Sequence, residues 1–149
     1  MKSVIKLFLI LFAASVLLAQ EEIVLKYDSG QADKNYTFGL DGWFFTTRFT
    51  PPEQVLLAKA RFYIADTSNG ATFKFSIYQA GDGEPAGVLV DKVPMRVKRL
   101  GWNEIDLTTF NIITADDFYL SIEYDFQAEI AIGVDTAEPI SGRSYDSDC

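Results

Sequence analysis

The sequence predicts an all-β protein: a two-sheet antiparallel sandwich, jelly-roll-like, with about eight strands behind a signal-peptide helix. Three observations carry this. After residue 20, apolar residues recur with period two and nowhere with the 3.6-residue period of a helix. The alternating runs are short, and clusters of Gly, Pro, Asn and Asp separate them at intervals of roughly 10 to 15 residues. In each run one face is apolar and the other mixed, as expected when two sheets cover one core. At 149 residues the chain can build one sizeable core and not two. Its 48% hydrophobic content sets it apart from disordered chains.

Residues 1–19 read as a secretory signal peptide. Lys2 and Lys6 form a short positive start, Leu7 to Leu18 is uncharged and mostly apolar, and small residues follow at Ala13, Ala14, Ser15 and Ala19. A spanning helix needs about 20 apolar residues, so this run is too short to remain in a membrane as a stable span. Cleavage after Ala19 is favoured, although Leu17 is large for the −3 position; cleavage after Ser15 and an uncleaved anchor are the alternatives. The compact layout has a bacterial look, and the expected location is secreted or cell-surface. Residues 20–149 then form the β-sandwich domain. Losing Lys2 and Lys6 takes the net charge from −8 to −10, which favours solubility and disfavours anionic surfaces.

The strands follow in order. Ile23 to Tyr27 is the first. Trp43 to Thr50 is the second, with Phe45, Thr47 and Phe49 on one face and Phe44, Thr46 and Arg48 on the other; Pro51 and Pro52 end it. Leu56, Ala58, Ala60, Phe62 and Ile64 point inward on the third, Leu57, Lys59, Arg61 and Tyr63 outward. A turn cluster at Asp66 to Gly70 contains Asn69-Gly70, and Phe73, Phe75 and Ile77 then alternate with Lys74, Ser76 and Tyr78. These two runs are expected to pair as an antiparallel hairpin. Gly81 to Gly87 reads as a loop. Val88 to Val97 is strand-like, with Pro94 marking an edge or a bulge. Trp102 to Leu107, Phe118 to Tyr124, and Ile130 to Val134 complete the set, with Asp116-Asp117 as a turn before Phe118.

Ser141 to Cys149 reads as loop, and one unpaired cysteine is unusual in a secreted chain. Both point to a chain that continues, so the domain is expected to be truncated at its C-terminus. A complete protein with a mobile tail and pairing between chains through Cys149 are the alternatives. The strings Leu25 to Gly30, Phe49-Thr50-Pro51-Pro52, Gly101 to Leu107, Gly133-Val134-Asp135 and Gly142-Arg143-Ser144-Tyr145 together span most of residues 25 to 145. They resemble a β-sandwich accessory module of secreted bacterial proteins, found in multidomain extracellular peptidases and in surface proteins with C-terminal sorting domains. That resemblance implies a non-catalytic module whose partners are neighbouring domains of a longer chain. In such modules another strand commonly follows the Gly-Arg-Ser-Tyr element, and no ligand or site residue carries over.

The absence of histidine removes Ser-His-Asp and Cys-His catalysis and histidine-ligated metals, and the single cysteine removes a zinc ribbon and an internal disulfide framework. The acidic balance argues against nucleic acid as a partner. Carboxylate pairs such as Glu104 with Asp106, or Glu123 with Asp125, share a strand face and could do glycosidase work at roughly 5 to 10 Å separation, but they fit a solvated sheet surface better. Asp28, Asp33, Asp41 and Asp135 are oxygen donors of the kind calcium takes, without EF-hand spacing. Asn35-Tyr36-Thr37 is a formal glycosylation sequon and reads as chance in a bacterial chain. No enzyme activity, cofactor or metal is therefore expected. The candidate ligand-binding residues are Arg61, Tyr63, Lys74 and Tyr78, which the proposed hairpin would bring to one outer face. Aromatic faces beside hydrogen-bonding side chains suit sugar rings or a protein ligand. The cations' expected own partner is a neighbouring-strand carboxylate, Glu104 or Asp106; the functional alternative is an acidic glycan. Whether Trp102 lies in the core or at the rim stays open. The expected function is a binding or spacing module within a larger extracellular protein. The alternative is a carbohydrate-binding module that targets an appended enzyme to a glycan.

Overall fold

Period-two alternation builds two antiparallel sheets that close on each other as a sandwich. The computed structural model describes residues 22–26, 30, 32, 34–37, 43–67, 71–124, 130–134 and 144–148. The strands are β1 (Lys34–Thr37), β2 (Trp43–Phe49), β3 (Val55–Leu56), β4 (Lys59–Thr67), β5 (Thr72–Gly81), β6 (Glu84–Arg96), β7 (Gly101–Asp106), β8 (Ile113–Thr114), β9 (Phe118–Tyr124), β10 (Ile130–Val134) and β11 (Ser144–Asp148). A 3-10 turn at Thr108–Phe110 is the one helical element among the described residues. Sheet A has the order β1-β10-β4-β7, sheet B the order β11-β2-β9-β5-β6, and β3 pairs with β8 as a separate ribbon. Residues 1–19, read above as a signal peptide, lie outside the described residues. Among the described ones, no helix is long and apolar enough to cross a membrane.

The core lies between the sheets. Sheet A contributes Ala60, Phe62, Ile64, Ile105, Ile130 and Ile132, and sheet B contributes Phe73, Phe75, Ile77, Phe118 and Ile122, with Phe45, Phe49 and Leu120 packed at the margin. The inward phase expected for β5, at Phe73, Phe75 and Ile77, is the phase observed, whereas β9 is buried on both phases, with Phe118 and Ile122 on one and Tyr119 and Ser121 on the other. Phe75 and Ile77 have no exposed surface at all. Across the layers, the Phe62 and Phe73 rings meet edge to face with centroids 5.1 Å apart.

That contact overturns the expected hairpin. β4 pairs with β10 and β7, whereas β5 pairs with β6 and β9, so consecutive strands lie in opposite sheets. Alternation dictates which face of a strand is apolar and is silent on whether the next strand lies beside it or across from it. Both arrangements bury Phe62 and Phe73; only the pairing partners distinguish them.

Four boundaries also differ. Residues 23–26 make no ladder: Ile23 and Val24 are exposed, and only Leu25 packs onto the core. The first strand is β1, exposed along its length, which carries no hydrophobic alternation to read and is held by its pairing with β10. The third run breaks after Leu56. Leu57 turns inward, its N–H donating to the Ile112 carbonyl (2.9 Å), and the Leu107 N–H reaches the Ala58 carbonyl (2.8 Å). Gly81 to Gly87 is a tight turn and the start of β6 rather than a loop. Gly81 pairs with Glu84, and Asp82 and Gly83 both have positive φ (52° and 88°), the backbone of a type I′ hairpin. Finally, the loop-like stretch near the end carries β11, which pairs with β2 from Ser144 to Asp148.

The reading of Pro94 holds. β6 is the edge of sheet B, and its ladder with β5 slips by a bulge opposite Ser76. There Lys92 takes φ 42°, and its N–H donates to the Ser76 hydroxyl (2.9 Å).

Candidate functional site

With the apolar phases turned inward, chemistry is left on the two outer faces, which point in opposite directions. The four candidate residues divide between them. Arg61 and Tyr63 lie on the outside of sheet A, Lys74 and Tyr78 on the outside of sheet B. The hairpin that would have placed Arg61 beside Lys74 does not exist, so the four do not form one site.

On sheet A, β4 and β7 face each other in register as Lys59 with Asp106, Arg61 with Glu104, and Tyr63 with Trp102. Ile105 and Leu107 are buried, so the even positions Trp102, Glu104 and Asp106 must face out. Parity against Ile105 and Leu107 was the signal that could have assigned Trp102 from the sequence. Its indole meets the Tyr63 ring edge to face, with centroids 5.6 Å apart and planes 84° apart. The Arg61 guanidinium lies over the indole, 5.4 Å from the ring centroid. Glu104 takes the Lys59 ammonium at 3.2 Å through Oε1. The expected neighbouring-strand carboxylate is thus present, with Lys59 as its ion-pair partner.

Local backbone devices hold this cluster. Gly133 of β10 has no Cβ, and one built there would sit 2.6 Å from the Tyr63 ring and 2.5 Å from the Ala32 methyl. Any other residue at 133 would displace Tyr63. Trp102 is presented by a turn that Asn103 staples from within. Its Oδ1 accepts the Lys98 N–H (3.0 Å), and its Nδ2 donates to the carbonyls of Arg99 (2.7 Å) and Gly101 (3.0 Å). Gly101 takes φ 87°, the conformation glycine adopts freely. Arg99 closes the turn by donating from Nε to the Trp102 carbonyl (3.0 Å). At the far end of β7, Asp106 accepts the Thr108 hydroxyl (2.5 Å) and N–H (2.9 Å). Those two bonds hold its carboxyl below the ordinary range, and Lys59 adds a smaller pull.

The outer face of sheet B is ion-paired and hydroxyl-lined. Glu123 receives Lys92 at 2.9 Å and Lys74 at 3.6 Å. The Glu123 hydrogen bond, then its charge, raise the Lys92 pKa above the ordinary value. Thr46 donates its hydroxyl to Ser121 (3.0 Å), both buried, and Ser121 lies in register with Ser76. Tyr119, in register with Tyr78, is wholly buried and donates its hydroxyl to the Gly83 carbonyl. Lys74 and Tyr78 therefore sit in a locally satisfied framework around Glu123 and the β5–β6 turn.

Of the carboxylate pairs, Glu104 and Asp106 are committed to Lys59 and Thr108, and Asp125 lies outside the described residues. So do Asp28, Asp33, Asp41, Asp135 and Cys149. Among the described residues, no group of three or more Asp, Glu, His or Cys is placed to hold a metal ion. The fold and the outer faces together define an antiparallel β-sandwich with an aromatic corner on one sheet. Protein-family models, curated proteins and solved structures give no match to the chain.

Proposed function

We propose that the chain is a secreted, non-catalytic β-sandwich module that serves binding or spacing within a larger extracellular or cell-surface bacterial protein. The observation that carries this reading is the contrast between the two outer faces. Sheet B gathers Lys74 and Lys92 around Glu123, while sheet A, beside its Lys59–Glu104 pair, holds Tyr63 and Trp102 half-buried, braced from behind by Gly133 and Asn103. A braced, partly exposed aromatic pair suits recognition and is more than solubility requires. Lys2, Lys6 and the apolar run to Leu18 support export, and Leu25 to Tyr145 carry the resemblance to accessory modules.

Expression in an exporting bacterium tests the reading. The protein in the periplasm or medium is expected to begin at Gln20, by mass spectrometry, and to hydrolyse neither glycans nor peptides. Intact Met1 on membrane-bound protein, or turnover of a glycan, would defeat it. The second reading, a carbohydrate-binding module, is favoured by the Tyr63–Trp102 corner itself.

A further inference from the structure

We infer that the Tyr63–Trp102 corner, with Arg61 and Glu104, binds a neutral, soluble oligosaccharide chain. This deepens the carbohydrate-binding reading and rests on it. Three features select the ligand class.

The first is charge. An acidic glycan needs cations in excess, and the expected pair of Arg61 and Lys74 is split between opposite faces. On the β4–β7 pair that carries the corner, each cation stands opposite an acid in register, Lys59 against Asp106 and Arg61 against Glu104. A charge-balanced surface on a chain of net charge −8 offers a polyanion no attraction. A neutral sugar loses nothing there, and each pair of adjacent hydroxyls can both donate to Glu104 and accept from Arg61.

The second is the state of Arg61. The guanidinium carbon lies 5.4 Å from the indole centroid, within cation–π range, and a guanidinium carries five N–H donors with which to meet a ligand's hydroxyls. Arg61 makes no ion pair among the described residues, and Trp102 holds it in place before a ligand arrives.

The third is the angle between the rings. Planes 84° apart form a corner, with one apolar wall and a second wall across it. A flat crystalline polysaccharide surface requires coplanar rings. A corner instead receives one sugar ring of a free chain, its C–H face on one aromatic and its edge against the other.

The test uses the full exported chain and four probes: the neutral hexasaccharides of cellulose, xylan and mannan, and an acidic alginate oligosaccharide. Calorimetry and tryptophan fluorescence report binding. The expected result is saturable binding of at least one neutral hexasaccharide, unchanged between about 0.05 and 0.5 M salt. Trp102→Ala should weaken it about tenfold or more, and Arg61→Gln about three- to tenfold. Arg61 is exposed, so that variant remains informative should Trp102→Ala fail to fold. Binding of alginate alone, falling with salt, would overturn the inference. So would a wild type that binds none of the neutral probes, or binding that survives both substitutions. Binding of alginate alone defeats this inference and leaves the carbohydrate-binding reading standing; an exported, inert chain that binds no glycan defeats both and leaves the module reading; a chain retained at its N-terminus or turning over its ligand defeats the module reading beneath them.

Discussion

Asn103 concentrates more structural consequence than any other polar residue described. All three hydrogen bonds of its side chain go to the backbone of residues 98–101, and the side chain is buried. Asn103→Ala would leave one amide and two carbonyls to water. The expected loss is about 1 to 2 kcal/mol, read from urea unfolding, at the lower end for unpaired groups because the turn borders solvent. Asn103→Asp keeps the acceptor but turns the donor into an oxygen facing two carbonyls, so it should do no better at neutral pH. Asp106 gives a prediction with a direction in pH. Its folded-state pKa lies below the ordinary 3.8 because Thr108 hydrogen-bonds the charged form. The stability it contributes is therefore complete above that ordinary value and is lost as pH falls through the depressed one. Thermal unfolding followed downward from about pH 5 should show a shallower acid decline for Asp106→Asn than for wild type. Equal declines would mean that the Thr108 contact does not favour the charged carboxylate.

At the scale of elements, the β5–β6 turn is the sharpest case. Asp82 and Gly83 both take positive φ, and the Tyr119 hydroxyl reaches over to the Gly83 carbonyl. Gly83→Ala should cost about 1 to 2 kcal/mol in equilibrium unfolding from backbone strain alone, since no neighbour would clash with the added methyl. An unchanged midpoint would mean that the turn relaxes to another type. The Asp-Gly step was readable as a two-residue hairpin signal, yet the five other residues around it look like loop. The alternation of Phe73, Phe75 and Ile77 was legible because core burial writes itself into every second residue, and in β9 the apolar Phe118 and Ile122 showed the core phase although Tyr119 and Ser121 are buried as well. β1 and β11 were not legible, because both are sheet edges and carry no such pattern. Half of the candidate site was legible for the same reason: outward phase identified Arg61 and Tyr63. Phase alone could not show that Lys74 and Tyr78 face the other way, because pairing is a long-range property.

For the whole molecule, the decisive contact is Phe62 against Phe73, which joins sheet A to sheet B. A double-mutant cycle with Phe62→Leu and Phe73→Leu should yield a coupling of about 0.5 to 1.5 kcal/mol, the range for edge-to-face aromatic pairs. Strictly additive losses would deny that contact. Strand order then shapes how the protein is made. Among the described strands, only β5 and β6 pair with a neighbour in sequence. Thr46 of β2 waits for Ser121 of β9, which lies 75 residues further on. A ribosome adding about 5 to 20 residues per second leaves that gap open for roughly 4 to 15 s. Throughout that interval Phe44, Phe45 and Phe49 have no strand of sheet B beside them, because their other neighbour, β11, is synthesised later still. For about half of the chain's synthesis the aromatic residues of β2 are therefore without a partner strand, and residues 43–49 are the segment that a chaperone holding unfolded chains would be expected to meet.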